Sequence, residues 1–365
     1  MKKKLISLLL AAMMLAGLMA GCAGGTPDPT AEPPANPTEG TQETEPPAGD
    51  PTEEPSAVEP VTLNVAYMPN YAALWAVTTA DAKGYFAEEG ITVNLVEFAD
   101  GPTEIAAMES GSIDVSYIGP GAHRLCSTGN ANIFLIQQLG DADCVIGFKS
   151  HGVESLEDLK GKTIAYASGT SSETILKLAL DSVGLTTDDV KLFDMDTSNM
   201  VTAALSDSVD ACATWSPYSL NIMAEKGDDA IKFCSNVDFS DVTVTPASWV
   251  CTPAYGEANK DVLVRFIRAM YKAMDYGSQE ANFEEVAGYV AEQCKIEQSA
   301  AYDQRGDGAW MTKAEVLEGC SNGKIIDYYT LQQKGFIDAG SLEDNDDMVK
   351  VEDFVLLDLM QEAGK

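Results

Sequence analysis

The sequence predicts an α/β fold with mostly parallel sheets. From residue 61 onward, short apolar segments that suit β-strands alternate with longer segments that have a helical pattern. Glycine, proline and serine separate the two kinds of segment, and this alternation is typical of α/β units. The 305 residues from 61 to 365 are enough for two packed lobes.

The first strand, 61–67, alternates apolar and polar residues and leads into a helix over 72–83 that Gly84 ends. Another helix begins at Gly101-Pro102, because proline is favoured in the first turn of a helix. Further strands are predicted over 93–98, 113–117, 133–139, 163–166, 190–193 and 211–214, and further helices over 156–159, 172–183, 201–206, 262–276 and 283–292.

The prolines of the α/β region follow the predicted strands. Five of the six prolines beyond residue 60 fall at or just after the carboxyl end of a predicted strand: Pro69, Pro102, Pro120, Pro217 and Pro246. Ligands of open α/β sheets bind in the crevice outside these strand ends. Rigid turns there favour shaped binding loops, although proline also avoids strand and helix interiors for purely steric reasons.

The first 21 residues have the layout of a secretory signal, with the basic start Lys2-Lys3-Lys4, an apolar stretch and small residues before Cys22. Residues 19–22 resemble the lipobox of bacterial lipoproteins, in which the cysteine carries a diacylglyceryl group, although Met19 stands where Leu is usual. A plain signal peptide is the alternative. The apolar stretch 5–19 is shorter than the about 20 residues that a membrane-spanning helix needs.

Residues 22–60 are predicted to be a disordered tether behind the lipidated Cys22. Ten of the chain's 16 prolines lie in residues 23–60, together with nine acidic residues and no lysine, arginine or aromatic residue. A segment of this composition cannot bury enough apolar surface to offset the entropy of ordering it. A glycosylated stalk is a weaker interpretation of the same composition.

The net charge of −34 disfavours nucleic acid and anionic membrane surfaces as partners. Seven cysteines follow Cys22, and none of them forms a CxxC pair, so the sequence gives no sign of a zinc or redox motif. We therefore expect no metal site and no cofactor.

The segment 167–173, Ala-Ser-Gly-Thr-Ser-Ser-Glu, joins the predicted strand 163–166 to the helix 172–183. A helix amino terminus presents unpaired N–H groups and partial positive charge, so this loop could cradle an oxyanion. The alternative is ordinary helix capping, because serine, threonine and glutamate are common capping residues. The segment is neither a P-loop nor a nucleophile elbow.

Four segments carry a resemblance to a known family, namely 82–91 (AKGYFAEEGI), 109–115 (ESGSIDV), 158–170 (DLKGK followed by SGT) and 210–218 (DACATWSPY). In this order they are similar to solute-binding proteins of ABC importers in the nitrate, sulfonate, taurine and thiamine-precursor group. The resemblance covers roughly residues 61–300.

The resemblance implies a type II periplasmic-binding-protein fold, with a ligand cleft between two α/β lobes. Lobe 1 is expected over 61–147 and 246–365, and lobe 2 over 148–245, with crossings near 141–148 and 242–247. The implied partners are a small-molecule ligand, a membrane permease and its ATPase subunits. The implied protein is a monomer outside the cytoplasm, held at the bacterial cell membrane by its lipid.

The ligand-binding candidates are residues of the predicted strand-end loops, together with tryptophans near them. They are Asn70, Tyr71, Trp75, Gly101, Thr103, Gly119, Gly121, Ser168, Gly169, Thr170, Ser171, Ser172, Trp215, Tyr218 and Trp249. Trp215 is the leading candidate, since a tryptophan beside Pro217 in a strand-end loop is hard to bury elsewhere. Arg124 is either a ligand charge or a solvated residue.

The ligand class stays open at this point. A small sulfonate, taurine or nitrate is the cargo that the resemblance implies, but few basic residues lie on the candidate loops. Aromatic residues there also suit a thiamine-type pyrimidine or an amine. Outside transport, the alternatives are a pyrimidine-synthase-like enzyme and a surface lipoprotein that binds another protein. The chain has only two histidines, His123 and His151, on distant segments, and we expect no catalytic residues.

Overall fold

A computed structural model describes residues 59–365. The predicted signal peptide, Cys22 and the tether up to residue 58 lie outside the described residues. The strands are β1 (Val61–Tyr67), β2 (Ile91–Glu97), β3 (Val115–Ile118), β4 (Asn132–Gly140), β5 (Asp143–Phe148), β6 (Thr163–Tyr166), β7 (Lys191–Asp194), β8 (Ala211–Trp215), β9 (Ala230–Ser235), β10 (Pro246–Cys251) and β11 (Gly308–Trp310).

The helices surround two sheets. They are α1 (Tyr71–Ala82), α2 (Tyr85–Glu88), α3 (Gly101–Glu109), α4 (Arg124–Ser127), α5 (Ser171–Ser182), α6 (Thr197–Leu205), α7 (Tyr218–Lys226), α8 (Pro253–Ala258), α9 (Lys260–Gly277), α10 (Phe283–Cys294), α11 (Gln298–Tyr302), α12 (Lys313–Asn322), α13 (Lys324–Asp338), α14 (Val351–Phe354) and α15 (Leu357–Ala363). In residues 59–365, no helix combines the length and the apolar character that crossing a membrane requires.

The two sheets have the same internal order. The first runs β2-β1-β3-β10-β4-β11 and the second runs β7-β6-β8-β5-β9, so the first sheet differs only by the additional edge strand β11. In the first sheet, β1, β2 and β3 are parallel, and the antiparallel strand β10 pairs between β3 and β4. In the second sheet, β6, β7 and β8 are parallel, and the antiparallel strand β5 pairs between β8 and β9. Each of these two antiparallel strands directly follows a crossing of the chain from the other lobe, and we name it a guest strand. The prediction of a two-lobe α/β fold is confirmed.

The chain crosses between the sheets twice. Residues 141–142 connect β4 to β5, and residues 236–245 connect β9 to β10. We therefore name residues 59–140 and 246–365 lobe 1, and residues 143–235 lobe 2.

The boundaries differ from the expected ones at one strand. The sequence prediction put residues 143–147 in lobe 1, but β5 pairs with β8 and β9 in the middle of the second sheet. The strand is buried along its whole length. Pro246 likewise begins the guest strand β10 instead of following a strand end.

The helices begin where capping residues stand. Asn70 caps α1 by accepting a hydrogen bond from Ala73 N at 2.8 Å, Asp100 caps α3 through Thr103 N, and Thr170 caps α5 through Ser172 N. Each of these caps follows the carboxyl end of a parallel strand. As a result, the amino termini of the three helices are directed to the same side of the molecule, the side where the two lobes face each other.

Candidate functional site

A cavity of about 60 Å³ lies between the lobes at the carboxyl ends of the parallel strands. The loops after β1, β2 and β3 form one wall, and the loops after β6 and β8 form the other. The first crossing and Asp307 close its base. The lining residues are Met68, Asn70, Ala72, Asp100, Gly101, Pro102, Tyr117, Gly119, Pro120, Gly121, Ala122, Gln138, Gly140, Ala142, Asp143, Thr170, Ser171, Trp215, Ser216, Ala247 and Asp307.

Seven of the residues predicted from sequence line this cavity: Asn70, Gly101, Gly119, Gly121, Thr170, Ser171 and Trp215. Trp215, only 7% exposed, packs edge-on against Tyr218 with the ring centroids 6.3 Å apart. Tyr218 itself does not line the cavity and instead supports the tryptophan from the side. The loops that the sequence pointed to are therefore brought together.

Trp75 and Trp249 were expected at the cleft, but both are fully buried in the core of lobe 1. Trp249 packs edge-on against Tyr117 and Phe266. Tyr71 is also fully buried, and its ring lies 5.3 Å from that of Trp310. Tyr71 and Trp75 of α1 and Trp249 of β10 are part of the same hydrophobic core, so they stabilise lobe 1 and do not line the cavity.

A chain of side-chain hydrogen bonds supports the lobe 1 wall. Trp75 Nε1 donates to Gln138 Oε1 at 3.1 Å, and Gln138 Nε2 donates to Tyr117 Oη at 2.7 Å. Gln137 Nε2 also donates to Gln138 Oε1, and Trp249 Nε1 donates to Gln137 Oε1 at 2.7 Å. Because Tyr117 Oη accepts from Gln138, its own hydrogen remains available to a ligand. The network fixes the two polar groups of this wall in one orientation.

Three N–H groups of the loop predicted as an oxyanion cradle, those of Ser168, Gly169 and Ser172, are paired within the protein. Ser168 N donates to Asp194 Oδ1 at 2.9 Å, and Gly169 N donates to Glu173 Oε2 at 2.7 Å. Ser172 N donates to the Thr170 cap, and Ser172 Oγ donates to Ala213 O. Ser168, Gly169 and Ser172 therefore do not line the cavity, and the capping alternative describes this loop better.

Thr103 is exposed and does not line the cavity either. Its N–H and its hydroxyl donate to Asp100, the residue that caps α3. Arg124 does not contribute a charge to the cavity. Its Nη2 lies 2.7 Å from the point where a Cβ on Gly169 would stand, so it packs against the lobe 2 loop. Gly169 has φ +74°, a conformation that glycine adopts without strain.

The backbones of the two lobes touch at Gly121. A Cβ built on Gly121 would lie 2.1 Å from Ser171 N and 2.1 Å from Thr170 C, a distance that no side chain tolerates. The turn after β3 and the start of α5 are therefore in direct contact across the cleft. The structure is a closed arrangement of the lobes at this point.

Two carboxylates at the base of the cavity were not predicted. Asp143 begins β5, is 4% exposed, and its Oδ1 has no hydrogen-bond partner. Burial raises the pKa of Asp143 to about 6, and burial together with the charges of Asp141 and Asp143 raises the pKa of Asp307 to about 7. Ser216 Oγ is likewise buried without a partner. Asp143 directly follows the crossing that was expected near 141–148 but carries no motif of its own, and Asp307 lies beyond the residues 61–300 that the family resemblance covers.

The buried oxygen atoms of Asp143 and Ser216 can accept hydrogen bonds from a ligand. His123 is 2% exposed, bonds to Gln332 through Nδ1 and has its pKa lowered to about 3 by burial; His151 bonds to Asp210 in lobe 2. Neither histidine lines the cavity. Across residues 59–365, no group of three or more histidine, cysteine or acidic side chains is placed to hold a metal ion.

The comparisons with known proteins agree with this geometry. A Brucella abortus protein whose name describes it as a binding protein is 28% identical over 283 residues, 78% of this chain and 87% of the relative. A Bacillus subtilis protein named for binding aliphatic sulfonates is 29% identical over 215 residues, 57% of this chain and 63% of the relative.

The solved structure of the periplasmic nitrate-binding protein NrtA from Synechocystis PCC 6803 matches with a TM-score of 0.68 at 13% identity, over 84% of this chain and 88% of that one. At that identity the match shows the fold alone, which is the two-lobe fold of periplasmic binding proteins. The family described as NMT1/THI5 like matches residues 72–281, more than half of the sequence. The chain therefore belongs to the NMT1/THI5-like family.

Proposed function

We propose that this chain is the extracytoplasmic solute-binding component of an ABC importer, which captures a small organic solute between its lobes and delivers it to a membrane permease. The observation that carries the proposal is the cavity itself, because loops of both lobes line it and the two lobes are joined by only two crossings. A ligand that contacts both lobes favours the closed arrangement by its differential affinity for that state.

The relatives support a binding role. Those described above are named for binding, and one of them for aliphatic sulfonates. The cargo expected from the resemblance, a sulfonate, taurine or nitrate, comes from the relatives and not from groups in this cavity. An enzyme is less consistent with the site, because both histidines lie elsewhere.

The purified full-length chain tests the proposal. Thermal shift against a library of small organic solutes and native mass spectrometry after growth-medium extract should identify at least one bound solute. Trp215→Ala should weaken its binding by about tenfold or more, since a buried aromatic contact is lost. A chain that binds no small molecule and retains none would contradict the proposal.

We further propose that the chain is lipidated at Cys22 and held at the cell membrane as a monomer by the 22–60 tether. A tethered binder stays near its permease while the lobes remain free to close. Mass spectrometry of the native amino terminus should find a diacylglyceryl adduct on Cys22, and Cys22→Ala should release the protein from membranes. Cleavage at another position, or an unmodified Cys22, would refute the anchor without affecting the binding role.

A further inference from the structure

The charges that line the cavity have one sign. The lining includes Asp100, Asp143 and Asp307 and, within the part of the chain that the structure describes, no lysine, arginine or histidine. Lys232 is the cation whose charge acts on both Asp143 and Asp307, but it is exposed and does not reach the lining. An anion entering this site would meet carboxylates without a compensating positive side chain.

The amino termini of α1, α3 and α5 do not offset the negative charge of the cavity lining. Their first N–H groups already donate to the protein's own oxygen atoms: Ala73 N to Asn70, Thr103 N to Asp100, and Ser172 N to Thr170. The N–H groups of Ser168 and Gly169 donate to carboxylates as well. These five backbone donors are therefore already paired and are not free to bind an anion.

An acceptor, by contrast, is left open. Asp143 Oδ1 and Ser216 Oγ are both buried at the cavity wall without a partner, and each such group costs free energy unless a ligand supplies the missing contact. Ser171, the first residue of α5, lies beside Asp143 and favours its ionised form. A buried carboxylate oxygen that lacks a donor calls for a ligand that brings one.

We propose that the cleft selects a small organic solute with a positively charged nitrogen, which Asp143 and Asp307 hold beside the Trp215 ring. The inference rests on the proposed binding function and names the chemical class of its cargo. An N–H-bearing cation pairs with the open carboxylate oxygen, and a tryptophan face attracts a cation in addition.

The walls favour an organic cation over a metal ion. Met68, Pro102, Ala247 and Trp215 give the cavity apolar surface, which suits carbon and not a hydration shell. The volume of about 60 Å³ accommodates roughly four water molecules, so a short-chain amine fits the closed arrangement.

The experiment is a solute library balanced among cations, zwitterions, anions and uncharged compounds, screened against the full-length chain by thermal shift and followed by calorimetry. We expect every stabilising solute to carry a protonated nitrogen. Each such solute is then compared with the analogue in which a hydroxyl replaces the ammonium, as in taurine and isethionate, and the analogue should bind at least tenfold more weakly.

Asp143→Asn and Asp307→Asn should each weaken the amine at least tenfold, while Asp228→Asn, an exposed carboxylate of lobe 2, should not. Circular dichroism and melting curves confirm that the variants fold. Calcium and magnesium chloride serve as a further arm, and displacement of the amine by either metal at micromolar concentration would overturn the assignment.

The outcomes separate the two proposals. Binding of anions or uncharged solutes, with no preference for the ammonium analogue, overturns the cation assignment and leaves the binding function standing. Wild-type amine affinity in both aspartate variants also overturns it. A chain that binds nothing in the library, nor any component of growth medium, removes the binding function and the cation assignment together.

Discussion

Lobe 1 and lobe 2 bring the same strand order to the cleft, yet they treat polar groups at the cavity differently. In lobe 1, Gln138 and Tyr117 are joined in a network that also satisfies two core tryptophans. In lobe 2, Asp143 Oδ1 and Ser216 Oγ face the cavity without partners. The side chains of Gln138 and Tyr117 are held in place before a ligand arrives, whereas Asp143 and Ser216 have buried atoms that only a ligand can pair.

The hydrophobic cores of the two lobes also differ, and that of lobe 1 is the more continuous. The core of lobe 1 is one continuous cluster that includes α1, α9, α10 and both faces of its sheet. The core of lobe 2 consists of two smaller clusters, one on each face of the five-stranded sheet. We infer that lobe 1 is the more stable frame and that Asp143 and Ser216 of lobe 2 have buried, unpaired atoms at the cavity that a ligand can satisfy.

The largest effect is expected where the lobes touch. Gly121→Ala places a methyl group 2.1 Å from backbone atoms of Thr170 and Ser171, which cannot move aside as a side chain would. The lobes should remain apart, and ligand affinity should fall by about 100-fold, or ~3 kcal/mol. Small-angle scattering with saturating ligand should show an open particle.

Gly119→Ala is the matched control in the same turn. Its added Cβ would meet only Met68 Cε at 3.9 Å, an ordinary contact. This variant should close and bind like the wild type. Equal behaviour of the two variants would show that the approach of the turn to α5 does not determine closure.

Lobe 1 should lose stability when the side-chain hydrogen bonds around Gln138 are removed. Gln138→Leu removes the acceptor of Trp75 Nε1 and the donor to Tyr117 Oη, both inside the core. Leaving these groups unpaired should lower the free energy of unfolding by about 2–3 kcal/mol. Gln293→Leu, which loses one bond from a half-buried position, should cost less than about 1 kcal/mol. Urea unfolding curves measure both, and equal losses would argue against a special role for the network.

Much of the fold could be predicted from the sequence because strands and helices leave local patterns of apolar and capping residues. The strand over 163–166 was predicted with the bounds that the structure shows, and the helices after Asn70 and Thr170 begin within a residue of the expected positions. The guest strands were missed for a physical reason. Their pairing depends on a chain crossing between lobes, and no local pattern in β5 records which sheet it will join.

The site was predictable to the extent that strand ends determine it. Gly101, Gly119, Gly121 and Trp215, predicted as ligand-binding residues from the loops at the carboxyl ends of strands, line the cavity. Whether a tryptophan lines a cleft or packs in a core depends on the packing of the whole strand or helix that carries it. The sequence alone therefore could not distinguish Trp249, which packs in the core, from Trp215, which lines the cavity. Asp307 lies far along the chain from every other lining residue and reaches the cavity only through the pairing of β11 with β4.

Asp143 should show the opposite sign of effect from Gln138, although both line the cavity. Its folded-state pKa of about 6 lies above the ordinary value, so the folded state loses stability relative to the unfolded state as pH rises from about 4 to about 6. Asp143→Asn removes that loss and should stabilise the unliganded protein by about 1–3 kcal/mol at neutral pH and by little near pH 4.

The titratable groups around Asp143 are Asp141, Asp307, Tyr117 and Lys232, and the measurement must include them. Urea unfolding across this pH range, with Asp228→Asn as the exposed control, isolates the contribution of the buried carboxylate. A stability difference between Asp143→Asn and the wild type that does not change with pH would show that Asp143 is not the titrating group.

The smallest effect is expected at the buried acid of lobe 1. Glu104 is fully buried, bonds to Ser116 Oγ, and has its pKa raised well above the ordinary range by burial. Burial therefore favours its neutral form, and Glu104→Gln preserves its shape without a charge. The variant should change stability at neutral pH less than Asp143→Asn does, and it should leave ligand affinity unchanged because Glu104 does not line the cavity. Calorimetric affinities and urea unfolding at neutral pH check both expectations. A loss of affinity at Glu104→Gln comparable to that at Asp143→Asn would mean that a buried acid away from the cavity acts on the ligand as Asp143 does, and the special role of the unpaired carboxylate at the cavity would fail.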